Sequence, residues 1–209
     1  VRFIDQLIAD ANFSPASHHI HYLLNQFPKC AELYPRYGRV LTELNRFDEA
    51  ILFYLRAAAV HPDNWIIFFT LAILYLNKNK PDIAARYVAY AACLEPERHE
   101  IKQLYRRLRI HLPDSLHEDI KKIGRIRTAG TYQDADEILE KISDPGVSLL
   151  GCLHCPANGQ EERRKVHREI LCRLPYCETS LKALANIYAQ SDDLTRFQRY
   201  ADRLHEIDP

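Results

Sequence analysis

Cys152-Leu-His-Cys155, with Cys172 and Cys177 beyond it, is the densest group of metal-capable side chains in the sequence. A C-x2-C pair followed by two further cysteines is a spacing that can hold structural zinc in a tetrahedron of thiolates. Placing these residues on elements weakens that reading. If 147–156 is one helix and 160–173 returns antiparallel to it, Cys155 stands at one end of the hairpin and Cys172 at the other. At about 1.5 Å per residue they are then ~10 Å or more apart, too far for one zinc ion. A smaller set, Cys152, Cys155 and His167, can meet inside the hairpin and defines one alternative, a metal- or thiol-regulated module. Small buried thiols are the plainer expectation, with no metal bound. The βαβ setting of a thiol–disulfide oxidoreductase is missing around the C-x2-C.

Other chemistry-bearing groups are thinner. His18 and His21 share a helix face with His19 nearby, but no acidic or cysteine partner lies close in sequence to complete a ligand set. Basic residues gather at Arg98, Lys102, Arg106, Arg107, Arg109, Lys121, Lys122, Arg125 and Arg127, followed by the acidic run Asp134, Asp136, Glu137 and Glu140. Lys102, Arg106 and Arg109 are the candidate patch for an acidic partner. No aromatic pattern accompanies these charges, so nucleic acid is not expected to bind them. There is no glycine-rich phosphate loop, nucleophile elbow or H-E-x-x-H motif. Neither catalysis nor a cofactor is expected.

Composition narrows the class. The 209 residues carry 28 Lys+Arg against 28 Asp+Glu, so the formal net charge is zero and no strong basic field exists to attract nucleic acid. Hydrophobic residues make up 47%, while glycine supplies only 6 positions, which favours helices over turn-rich sheets. No apolar run reaches the roughly 18 to 20 residues of a membrane span. Six irregularly spaced cysteines fit reduced thiols and a cytoplasmic setting better than a disulfide framework. The chain contains no methionine and opens on Val1-Arg2-Phe3, so a piece of a longer protein is expected.

The elements that must position these groups emerge from an internal repeat. Pro28, Pro62 and Pro96 are spaced by 34 residues, and so are Ala16, Ala50 and Ala84; Ile20, Tyr54 and Val88; Leu23, Ala57 and Ala91; Phe3, Tyr37 and Leu71; and Leu7, Leu41 and Tyr75. Pro175 and Pro209 repeat the interval. With Tyr34, Tyr37, Gly38, Leu41, Phe47, Ala50, Tyr54, Ala57 and Pro62 in the clearest unit, the pattern resembles the tetratricopeptide repeat. The resemblance covers nearly the whole chain. It implies an all-α, right-handed superhelical solenoid of antiparallel helix pairs, with Gly38, Ala72 and Gly151 at the close-approach position.

Expected units are 1–30, 31–64 and 65–98, then a lone capping or joint helix at 99–112 with Ile101, Leu104, Tyr105 and Leu108 on one stripe. These form an N-terminal domain, 1–112. A second domain, 115–209, holds units 116–143, 144–177 and 178–209. Arg163 and Phe197 stand where the repeat wants alanine, so those units must pack differently. An elongated array follows from the period.

In such arrays each unit touches its neighbours and the inner surface, lined by first helices, is free to bind. The stretch Trp65–Leu76 has eleven hydrophobic residues in twelve. Packing of the repeat needs Trp65, Phe68, Leu71, Ala72 and Tyr75, which leaves Ile66, Phe69, Ile73 and Leu76 on the inner face. A helix apolar all round is expected to be covered. The occupant can be the chain itself, an apolar or amphipathic partner segment, or a second copy. In the preceding unit Glu32, Pro35, Arg39, Thr42 and Glu43 take these positions, and Arg39 and Glu43 form a polar rim that fixes register. Lys182 and Asn186 match the opening pair of the family's basic carboxylate clamp, but the rest of that clamp is missing, so the match is read as chance. The expected function is a protein–protein interaction scaffold or chaperone-like adaptor, within a multi-subunit assembly or as a homo-oligomer. The remaining alternative is the substrate-docking arm of a larger enzyme.

Overall fold

A computed structural model describes residues 1–191 and 193–208. Pro209, the end of the last expected unit, lies outside the described residues. Among them every regular element is helical, and the helices fall into pairs: α1 (Arg2–Ala9) with α2 (Phe13–Gln26), α3 (Leu33–Glu43) with α4 (Phe47–Val60), and α5 (Trp65–Asn77) with α6 (Pro81–Leu94). Then comes α7 (His99–Leu108), ending in a 3-10 turn at Arg109–His111. The second half pairs α8 (Asp114–Thr128) with α9 (Tyr132–Leu139), α10 (Pro145–Leu153) with α11 (Gln160–Arg173), and α12 (Glu178–Gln190) with α13 (Leu194–Ile207). The fold is all-α and tetratricopeptide-like.

The 34-residue period is written into the backbone. Ala11, Asn45 and Asn79, 34 residues apart, all adopt left-handed conformations with φ of 56°, 59° and 55°. The next residue in each turn donates back to the helix just ended: Asn12 N to Leu7 O at 2.8 Å, Arg46 N to Leu41 O at 2.8 Å and Lys80 N to Tyr75 O at 2.9 Å. This bond satisfies carbonyls that a helix end would leave orphaned. Asparagine tolerates the left-handed region and alanine does not, so Ala11 is strained where its two counterparts are comfortable.

Small residues then let the paired helices close. A Cβ at Gly38 would lie 2.8 Å from the Tyr54 ring of its paired helix; Gly151 instead abuts the preceding pair, where a Cβ would lie 2.5 Å from Leu139 of α9, so it is not the close-approach position of its own pair. Ala50, Ala57, Ala72, Ala84 and Ala91 are fully buried. The first helix departs from the expected register. Ile4 and Ile8 are its buried residues, while Phe3 is 61% exposed and lies edge-on to His19 at 5.1 Å. Ile4 occupies the place of Gly38, and its bulk forces α1 to present a face rotated by one residue. Similarly, Arg163 turns outward to donate to Ala157 O at 3.1 Å, and α11 packs instead through Val166, Ile170 and Leu171. Phe197 is half-buried against the core.

The two halves meet at polar side chains as well as apolar ones. The Asp119 carboxylate on α8 is buried and accepts from Lys122 Nζ at 2.7 Å, Ser143 N at 2.9 Å, Ser143 Oγ at 2.7 Å and Asp144 N at 2.8 Å. Asp144 in turn caps α10, accepting from Gly146 N at 2.9 Å and Val147 N at 3.0 Å, and takes the Tyr90 hydroxyl of α6 at 3.0 Å. Arg127 reaches from α8 to the C-terminal carbonyls of α6, Cys93 O and Leu94 O, the latter at 2.7 Å. Burial pushes the Asp119 carboxyl up, but the Lys122 ammonium and the Ser143 and Asp144 donors outweigh it and hold it below the ordinary carboxylate value.

The array does not stay open. Its last pair, α12 and α13, returns to the turns between the first three pairs. Ala31 N donates to Ile207 O at 2.7 Å, and Lys29 pairs with Glu206 at 2.6 Å and with the Tyr176 hydroxyl at 2.9 Å. His61 meets Glu178 at 3.0 Å, and Thr179 donates to Asp63 at 2.8 Å. The elongated form expected from the period is therefore corrected to one that curls back. Pairwise spacing constrains neighbours only, whereas this closure joins residues some 177 apart.

Two outcomes follow for stability, both read by urea unfolding. Ala11→Gly relieves left-handed strain and is expected to stabilise by about 1 kcal/mol. Asp119→Ala orphans buried donors and is expected to cost about 3 kcal/mol at pH 7. Because folding lowers the Asp119 pKa, its contribution is present above the unfolded value of about 4 and lost as pH falls through the folded value, so the gap to wild type narrows below about pH 4.

Candidate interaction groove

Helix α5 begins where Asn64 caps it, its side-chain oxygen accepting from Ile66 N at 3.1 Å. Its packing face is spent as the repeat demands: Ile67, Phe68, Leu71, Ala72 and Leu74 are buried. Tyr75 stacks on Tyr87 at 5.4 Å, and Phe68 meets Tyr90 edge-on at 5.8 Å. The remaining apolar side chains are less completely covered. Ile66 is 53% exposed and Ile73 38%, with Phe69 and Leu76 half-buried between them. Phe69 leans on Trp65 at 6.1 Å, and Trp65 carries the Arg98 guanidinium 4.5 Å from its ring.

At its Ile66 end the face opens into a cleft of about 410 Å³ whose other walls are α1 and α3. Ile8, Ala9, Pro35, Tyr54 and Ile67 line it, with Arg39 at the edge. Arg39 is exposed, as is Glu43 one turn further along α3. On the opposite rim Asp5 binds Arg36 in a fork, 2.7 Å to Nε and 3.3 Å to Nη2. That hydrogen-bonded guanidinium holds the Asp5 carboxyl below its usual range. The α1 wall, with Asp5, Ile8 and Ala9, escaped the sequence reading because α1 sits one residue out of the common register. The shift of apolar weight from Phe3 and Leu7 to Ile4 and Ile8 was the available signal.

The candidate basic patch is split by its surroundings. Lys102 pairs with Glu97 at 2.7 Å, while Arg106 and Arg109 are exposed on α7 and the turn after it. Arg127, from the same cluster, also donates to His154 Nε2 at 2.9 Å. Burial and that guanidinium push the His154 pKa down to about 4, so it stays a neutral acceptor.

Cys152, Cys155 and His167 border one cavity of about 410 Å³ between α10, α11 and α12. They do not assemble as a ligand set: among the described residues no three His, Cys, Asp or Glu side chains converge on a common point. His167 Nδ1 lies 3.2 Å from Ser180 Oγ instead. Burial and the neighbouring Cys152 push the Cys155 thiol up to about 11, and burial raises Cys152 as well.

No family model matches the chain, and no curated protein sequence does. Solved structures resemble it only distantly. A tetratricopeptide repeat protein from Parabacteroides merdae is 16% identical, covering 100% of this chain and 78% of its own, with a TM-score of 0.49. The structure of Naa15/Naa10 bound to HypK-THB is 16% identical over 89% of this chain and 38% of that one, with a TM-score of 0.39. Among the described residues no helix is long and apolar enough to cross a membrane. The tetratricopeptide-like fold rests on the chain's own paired helices and on left-handed turns recurring every 34 residues.

Proposed function

We propose that the chain is a protein–protein interaction scaffold, or chaperone-like adaptor, that holds an apolar or amphipathic segment of a partner against α5. The observation that carries this reading is the open face of Ile66 and Ile73 on a helix whose other side is already fully used. Isolated exposed apolar residues are ordinary, but a run of them beside a cleft is the usual form of a docking surface. Burying one isoleucine or phenylalanine fully is worth about 1.5 to 3 kcal/mol, and these residues are already partly covered, so the four together supply a few kcal/mol. Arg39 and Glu43 add register rather than affinity, because exposed charges contribute about 0 to 1 kcal/mol each. We divide the chain into an interaction domain, 1–112, and a supporting domain, 115–209. A cytoplasmic setting and participation in a larger assembly belong to the same reading.

The test compares Ile66→Glu, Phe69→Glu and Ile73→Glu with wild type in co-purification from the native source, read by mass spectrometry. Loss of the same partner set by at least tenfold in all three, with far-ultraviolet circular dichroism unchanged, is the expected result. Variants that fold normally and retain every partner would sink the proposal. Sedimentation of the wild-type chain at rising concentration separates self-association through this face from capture of another protein.

A further inference from the structure

We propose that the cleft between α6, α7 and α8 binds a small amphiphilic carboxylate of the fatty-acid class, its tail among the isoleucines and its head at Lys102 and Lys121. The cleft holds about 350 Å³, within the range of roughly 300 to 1,000 Å³ typical of small-molecule sites. Ala92, Ile101, Ile120 and Ile123 supply its interior, and the lining is overwhelmingly apolar. One polar pair on the wall is self-satisfied, Tyr105 Oη meeting His117 Nδ1 at 2.9 Å, so it makes no demand on the tail.

Gly124 borders the cleft. It lies inside α8, where glycine is a poor helix former, yet a Cβ built there would meet nothing within 4 Å. Close packing does not require this glycine, in contrast with Gly38 and Gly151. A larger side chain at position 124 would take up open space at the border of the cleft.

The charge around the mouth is of one sign. Lys102, Lys121 and Arg127 border it, and among the described residues no Asp or Glu does. Arg127 is committed to the α6 carbonyls and His154. The two lysines hold only surface partners, Lys102 with Glu97 at 2.7 Å and Lys121 with Glu118 at 2.6 Å. Exposed pairs of this kind exchange at little cost, so both ammonium groups can turn to a bound anion. A single alkyl chain fits this volume and a helix does not, which separates the cleft from the groove on α5.

The experiment is isothermal titration of the full chain with dodecanoate below its micelle concentration. Saturable one-site binding is expected, weakened at least tenfold in Gly124→Leu and at least fivefold in Lys102→Glu/Lys121→Glu, and unchanged in Phe69→Glu. Dodecyltrimethylammonium, with the same tail and opposite charge, is expected to bind at least fivefold more weakly than dodecanoate. Circular dichroism checks that Gly124→Leu is folded; if it is not, the lysine variant, which alters only surface ion pairs, decides the matter. Absence of saturable binding, equal affinity for the cationic surfactant, or loss in Phe69→Glu would each overturn the assignment.

Discussion

A first helix that ends in a left-handed residue and hands its last carbonyls to the next amide must reverse at once, and everything else in the N-terminal half follows from that reversal. With the turn fixed at positions 11, 45 and 79, the second helix returns at the distance set by what lies between. Gly38 sits under the Tyr54 ring because no Cβ fits there. Close pairing of α5 and α6 consumes one face of each helix. The inner face of α5 is then a residue of the geometry, carrying side chains that the hairpin has no means to bury.

Among the described residues the second half has none of these left-handed turns, and its pairs are built from poorer materials. Arg163 cannot serve as the small residue of its pair, and α9 is only eight residues long. Polar bonds compensate. Asp119 gathers three donors from the α9–α10 turn and Lys122 from α8, Asp144 caps α10 and takes the Tyr90 hydroxyl, and Arg127 binds the end of α6. A buried carboxylate without such partners would be prohibitively costly, so this network either forms completely or not at all. It fixes how the halves meet, and the return of α13 to Ala31 then closes the chain on itself.

Legibility in the sequence tracked the range of the interaction. The helix pairs of the first half and the small position Gly38 could be read because they recur at one interval, whereas Gly151, off that interval, packs on the preceding pair. Ala11 escaped notice because it is the one member of its set that is not asparagine. The face of α1 was misplaced because Ile4 replaces glycine and rotates the helix. Asp119 gave no signal, since its partners Ser143 and Asp144 are an ordinary turn sequence until the fold brings them to α8. The curl that joins Lys29 to Glu206 involves exposed side chains with no periodic mark. Of the four apolar side chains singled out on α5, Ile66 and Ile73 are exposed while Phe69 and Leu76 lean on the core, and the α1 wall beside them had no mark in the sequence.

Charge and apolar surface therefore play different parts. The middle of the chain looks like an electrostatic site in sequence, but its cations are largely employed: Arg127 on helix-end carbonyls, Lys122 on Asp119, Lys102 and Lys121 on neighbouring glutamates. Each exposed pair is worth about 0 to 1 kcal/mol and is readily exchanged. Leaving isoleucine and phenylalanine in water forfeits more, at roughly 25 cal/mol for every Å². The larger unmet term lies on the face of α5 where Ile66 and Ile73 stay open, and in the apolar cleft between α6, α7 and α8.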